Sequence, residues 1–231
     1  MRIKAVVFDI GQTLVHYPIP LNWSALYRPA FEHIEQKLGL NLSEEAYEHI
    51  GKTLAKYNAR INPREKEVSS DLIFSEILEG TTIPETLKET VKKEFYDYFR
   101  CEAHVYPEAE EALAELDRKG IVTATLSDVA YGMDNQYALE DIRPLLKYIR
   151  YPYTSNDTGW RKPCGKALEI LAEKTGIPVR ETAFIGDEIK DVQCAKNAGA
   201  VSVLINRTGE TKDFGQDYEI KDLREVIGLI N

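Results

Sequence analysis

Cysteine is scarce in this chain of 231 residues: Cys101, Cys164 and Cys194 are odd in number and widely spaced. No Cys-x-x-Cys pair occurs, which argues against zinc knuckles and a disulfide-stapled framework. Free thiols, buried or half-buried in a reducing compartment, are the expectation. Long apolar runs are missing as well, and no stretch approaches the length of a membrane span. The apolar run at residues 3–8 is too short for the hydrophobic region of a secretory signal, and no small-residue cleavage site follows it. A cytoplasmic protein without a membrane partner is therefore expected. Basic residues are outnumbered: 29 Lys and Arg stand against 38 Asp and Glu, a net charge of −9. Such a chain repels the phosphate backbone, so nucleic acid is not expected as a partner, although a local basic pocket for a small phosphate remains open. Repeats and low-complexity tracts are absent, and 43% hydrophobic with 29% charged residues is an ordinary globular balance.

What the chain does contain is a series of short, β-branched, nearly all-apolar segments. They lie at residues 3–8 (IKAVVF), 121–126 (IVTATL), 148–151 (YIRY), 182–185 (TAFI) and 201–205 (VSVLI). Continuous apolar runs of this length read as strands buried on both faces. Helical patterns separate them. Residues 107–118 place Ala109, Ala112, Leu113 and Leu116 on one face, with Pro107 at the first turn and Gly120 as the stop. Residues 166–175 and 189–197 repeat the form. The alternation indicates a parallel sheet with crossover helices. Residues 18–100 differ, with no strand and four helical patterns at roughly 25–38, 43–58, 70–79 and 84–99. Phe31, Ile34 and Leu38 read as the core of that helical part, and the mixed-charge run 63–67 reads as a solvated turn. The expected fold class is α/β: a Rossmann-like, three-layer core at 1–17 and 101–231 with a mainly parallel sheet, and an inserted all-helical cap at 18–100.

Ligands of open parallel sheets bind beyond the carboxyl ends of the strands. There the sequence places Asp9 after the first strand, Ser127 and Asp128 after the second, and Asp187 to Asp191 after the fourth; Lys162 lies in a nearby loop. Clustered carboxylates repel one another unless something positive sits between them. A hard cation such as Mg²⁺ prefers oxygen ligands, and a hydroxyl with an ammonium suits phosphate oxygens. That set describes phosphoryl transfer, which relies on positioning and charge neutralisation, with a carboxylate available as nucleophile.

On these residues the chain resembles the haloacid dehalogenase-like hydrolases, and more narrowly their phosphatases with a helical cap between the first two motifs. Asp9-x-x-x-Thr13 resembles the first motif, Ser127 the second, Lys162 in Arg-Lys-Pro the third, and Gly186-Asp187-x-x-x-Asp191 the fourth. The resemblance implies Asp9 as nucleophile and metal ligand, and Mg²⁺ held by Asp9, Asp187, Asp191 and the carbonyl of Gly11. It also implies Ser127 and Lys162 as phosphate ligands, and we add Asp128 beside them. A small phosphorylated metabolite is the implied substrate, with the protein a monomer or homodimer. One departure stands out. The usual second Asp, two residues after the nucleophile, is Gly11 here, and residue 12 is Gln12. That Asp is a general acid–base, a role worth roughly 10²–10⁴-fold. His16, Asp128, Glu188 or a cap residue could replace it, or the substrate could carry a good leaving group. Alternatively the protein binds phosphorylated ligands with impaired turnover. Halide displacement on a haloacid is a further option, opposed by the carboxylates at 187 and 191.

Overall fold

The computed structural model describes residues 2–19 and 22–230. Met1, Pro20, Leu21 and Asn231, which fall within the expected core and cap limits, lie outside the described residues. Strand β1 (Ala5–Phe8) is wholly buried. A two-residue β2 (Val15–His16) follows, then helices α1 (Trp23–Leu38), α2 (Glu44–Tyr57), α3 (Ser70–Glu79) and α4 (Lys88–Tyr98). The chain re-enters through β3 (His104–Val105), which pairs antiparallel with β2. Next come α5 (Pro107–Arg118), β4 (Val122–Ser127), the single turn α6 (Asn135–Ala138), β5 (Tyr151–Thr154) and the single turn α7 (Ser155–Thr158). Helix α8 (Lys166–Thr175), β6 (Thr182–Gly186), α9 (Ile189–Ala198), β7 (Val201–Ile205), β8 (Tyr218–Ile220) and α10 (Val226–Leu229) complete the chain.

Six strands form one sheet in the order β5-β4-β1-β6-β7-β8, and every pairing is parallel. Alternation along β1 builds the layers. Val6 and Phe8 pack on one side with Ala109, Ala112, Leu113 and Leu116 of α5. Val7 packs on the other with Leu168 and Leu171 of α8 and with Cys194 and Ala195 of α9. Burying each large apolar side chain contributes about 1.5–3 kcal/mol. Phe8 pairs with Thr125 on one neighbour and Ile185 on the other, so β1, β4 and β6 end nearly level. This register delivers Asp9, Ser127 and Asp187 to one rim.

Helices α1–α4 bury a cluster of their own around Phe31, Ile34, Leu54, Ile73, Phe74 and Phe95, with Leu38 packed against it. Ser43 and Ser69 cap α2 and α3 by accepting from Ala46 N at 3.2 Å and Leu72 N at 3.3 Å. Tyr131, just past β4, belongs to this cluster too, so the segment after the second motif is packed into the helical part.

Local details depart from or add to the expectations. The third strand lies at Tyr151–Thr154 rather than 148–151, because residues 140–148 wind into 3₁₀ turns. Pro152 is tolerated there because β5 is an edge strand. The other edge strand, β8, is three residues long and mostly exposed, and gave no apolar run to read. The run 63–67 is solvated at Pro63, Glu65 and Lys66, as expected, but it is also docked: Glu67 N donates to Gly159 O at 3.0 Å and Arg161 N donates to Glu65 O at 2.8 Å, binding the run to the loop that carries Lys162. Cys101 and Cys164 are half-buried and Cys194 is buried, all three as free thiols. No helix among the described residues is long and apolar enough to cross a membrane.

Candidate active site

The rim above β1, β4 and β6 holds a buried ion cluster. Lys162 Nζ donates to Asp191 Oδ1 at 2.6 Å and lies 2.8 Å from Asp9 Oδ1. The contact with Asp9 is an ion pair without hydrogen-bond alignment, and Asp9 Oδ1 is buried with no hydrogen-bond partner. One oxygen each of Asp9, Asp187 and Asp191 lies within 4.8 Å of the others. Asp191 is seated by two features. Its Oδ2 accepts from Glu188 N at 2.9 Å, capping α9. Its carboxyl also rests on Gly186, where a Cβ would come within 2.3 Å of Asp191 Cγ, so only glycine allows the approach.

Electrostatics separate the carboxylates. Burial pushes Asp9 up, but Lys162 and Lys190 outweigh it and the net shift is downward. The downward shift favours the ionised form of Asp9. Asp187 is raised to about 7, first by burial and then by the charges of Asp9, Asp191 and Glu188. Asp191 is also raised, chiefly by burial, with Lys162 opposing. Burial works against the charge on Lys162, yet Asp191, Asp9 and Asp128 hold its pKa well above the usual range. Three crowded carboxylates, Asp9, Asp187 and Asp191, with an all-oxygen donor set, fit a hard divalent cation. Asp9, Asp187 and the Gly11 carbonyl are the expected direct ligands. Both Asp191 oxygens are already engaged, so Asp191 suits an indirect, water-mediated role.

Ser127 ends β4 on the same rim and is half-buried. Asp128 adjoins Ser127 on this rim: its Oδ1 accepts from Lys162 N at 3.0 Å, and its Oδ2 lies 3.7 Å from Lys190 Nζ. His16 is exposed on β2, with Nδ1 3.2 Å from Gln12 Oε1. Glu188 pairs with Lys190 at 3.0 Å and with Arg60 of the helical part at 3.7 Å. At Gly11 an added Cβ would meet nothing nearer than Tyr17 Cε2 at 3.5 Å, so the position has room for a side chain it lacks.

Sequence reasoning missed Arg207. Its guanidinium donates to the carbonyls of Gln12 at 2.9 Å and Thr13 at 3.1 Å, pairs with Glu108 at 2.8 Å and stacks 3.6 Å from the centre of the Tyr106 ring. It steadies the turn after Asp9, where Gln12 sits at φ 53°, a left-handed conformation costing a side-chain-bearing residue about 1–2 kcal/mol. Its position just past the end of β7 was the available signal.

The sequence profile described as haloacid dehalogenase-like hydrolase matches residues 3–199. The chain belongs to this family. Among its curated relatives, a phosphoserine phosphatase of Thermus thermophilus is 29% identical over 158 residues, 67% of this chain and 62% of that protein. A Mycobacterium tuberculosis phosphatase is 26% identical over 92% of both chains. The phosphoglycolate phosphatase of Escherichia coli K12 is 28% identical across 54% of this chain and 52% of its own length. This haloacid dehalogenase-like chain thus spans somewhat over half the length of two of these relatives. Solved structures agree in fold. A 2-haloacid dehalogenase from Pseudomonas syringae superposes with a TM-score of 0.69 at 18% identity, covering 99% of this chain and 98% of its own. A phosphatase of the family from Thermococcus onnurineus gives 0.60 at 23% identity with the same coverage.

Proposed function

We propose that this chain is a Mg²⁺-dependent phosphatase that hydrolyses a small phosphomonoester through a phosphorylated Asp9. The observation that carries the reading is Lys162, buried between Asp9 and Asp191 with Asp187 in the same cluster. In it, Lys162 and Ser127 hold the phosphate oxygens and align the phosphorus with the Asp9 carboxylate. An Asp9 oxygen attacks phosphorus, the bond to the leaving oxygen breaks, and water later returns the carboxylate and releases phosphate. Mg²⁺, held by Asp9, Asp187 and the Gly11 carbonyl, supplies charge neutralisation for the transferring group. Residue 11 offers no proton, so substrates with acidic leaving groups are favoured.

Residues 18–100 act as a cap over a core at 1–17 and 101–231 in this reading; the separate apolar cluster of α1–α4 supports it. A closed cap excludes bulk water and selects the substrate. The phosphatase names of the relatives and the free thiols support a small cytoplasmic phosphorylated metabolite as substrate. The test is steady-state phosphate release from an aryl phosphate with and without Mg²⁺. Release that depends on the metal is expected, and equal release after chelation would overturn it. Gly11 favours a second reading, phosphate-ligand binding with stalled turnover. A single burst of phenol without further release would select it.

A further inference from the structure

We infer that Glu67, on the loop between α2 and α3, is a positioning residue for Lys162, so that the helical part helps build the phosphate site as well as cover it. The inference rests on the phosphatase reading for its kinetic arm only. The side chain of Glu67 is 3% exposed, and that of Arg161 is 8% exposed. The two form a buried ion pair, and Ser155 Oγ donates to the same Glu67 oxygen at 2.5 Å. Each partner also reaches the second motif. Arg161 Nη1 donates to Val129 O at 2.8 Å, and Ser155 Oγ accepts from Val129 N at 3.0 Å. Arg161 Nη2 lies 3.9 Å from Asp128 Oδ2, and Asp128 Oδ1 holds Lys162 N at 3.0 Å.

One carboxylate from the helical part thus fastens the turn after β4 and the loop that carries Lys162. The backbone supports the arrangement through the two hydrogen bonds between residues 65–67 and 159–161, and Lys66 Nζ sits 3.2 Å above the centre of the Trp160 ring. On the far side, the segment after β4 is held by Tyr96 Oη, which donates to Tyr131 O at 3.0 Å within the helical cluster. Neutralising Glu67 leaves Arg161 buried with Asp128 as its nearest remaining carboxylate. Arg161 then turns toward Asp128, Asp128 shifts, and Lys162 loses its alignment between Asp9 and Asp191. Misplacement of a charge that faces the transferring phosphoryl group weakens the transition state more than the bound substrate.

The test compares the full-length protein with Glu67→Gln, which keeps the side chain's shape, and with Lys66→Ala, which removes only the contact over Trp160. Two readouts are used: aryl phosphate kinetics with Mg²⁺, and amide hydrogen exchange by mass spectrometry. For Glu67→Gln, kcat falls by about tenfold or more while KM changes by less than about threefold. Exchange rises in peptides covering both 127–133 and 159–165. Lys66→Ala leaves kcat within about twofold of the parent. Unchanged exchange in either loop, a retained kcat, or an equal loss in Lys66→Ala would overturn the inference. If the parent protein fails to hydrolyse the aryl phosphate, the phosphatase reading falls, and the exchange data alone decide the role of Glu67.

Discussion

In the proposed site, a metal ligated by Asp187 should bind with an affinity sensitive to pH near neutrality. Burial and the neighbouring charges of Asp9, Asp191 and Glu188 raise its pKa to about 7. A proton and Mg²⁺ compete for the same carboxylate, so the metal must displace the proton wherever the group is protonated. Between pH 8 and pH 6 the ionised fraction falls from about 0.9 to about 0.1. Apparent Mg²⁺ affinity should fall about tenfold over that interval, equivalent to about 1.4 kcal/mol. Isothermal titration in two buffers of different protonation enthalpy gives both affinity and proton release. Close to one proton should be released per metal at pH 6, and few at pH 8. The same shift makes a stability statement. A carboxyl whose folded pKa exceeds its unfolded value binds more protons when folded, so in metal-free protein the contribution of Asp187 declines as pH rises from about 4 through about 7. Added Mg²⁺ should reverse that decline. An affinity that is flat from pH 6 to pH 8, with no proton release, would refute the reasoning.

Other outcomes follow from single positions. Gly11→Asp should raise turnover of alkyl phosphates by about 10²–10⁴-fold, because the position has room and lacks only the proton donor; an unchanged rate would show that residue 11 is not limiting. Phe95→Ala should cost about 3–5 kcal/mol in denaturant unfolding, since Phe95 is wholly buried among Phe31, Phe74, Tyr96, Phe99 and Tyr131. A loss below about 1 kcal/mol would contradict its central place in the helical cluster. Arg207→Met should lower kcat by about tenfold and stability by about 1–3 kcal/mol, because the turn after Asp9 loses two carbonyl anchors and Glu108 loses its ion-pair partner. Full activity in that variant would remove the anchoring role.

Strands buried on both faces were legible because such strands are continuous apolar runs: β1, β4, β6 and β7 lie within two residues of their expected places. β5 was displaced because YIRYPYT is aromatic in both halves, and Arg150 in its middle does not mark which half leaves the 3₁₀ turns. β8 was invisible because two of its three residues face solvent. The strand-end logic brought Asp9, Ser127, Asp187 and Asp191 to one rim, since parallel register alone does that. What one sequence could not show was partner choice across distance. Glu67 and Arg161 are 94 residues apart, and each taken singly reads as a surface charge. Only the docking of the loop 63–67 against 159–161 buries them together.

The nucleophilic role proposed for Asp9 is tested most directly by rapid mixing with an aryl phosphate and Mg²⁺, with Asp9→Asn alongside. Acid-quenched samples are digested to locate any phosphoryl group. The parent protein should release phenol in a burst and carry phosphate on the peptide containing Asp9, and the variant should do neither. Turnover by Asp9→Asn at the parental rate would contradict the mechanism.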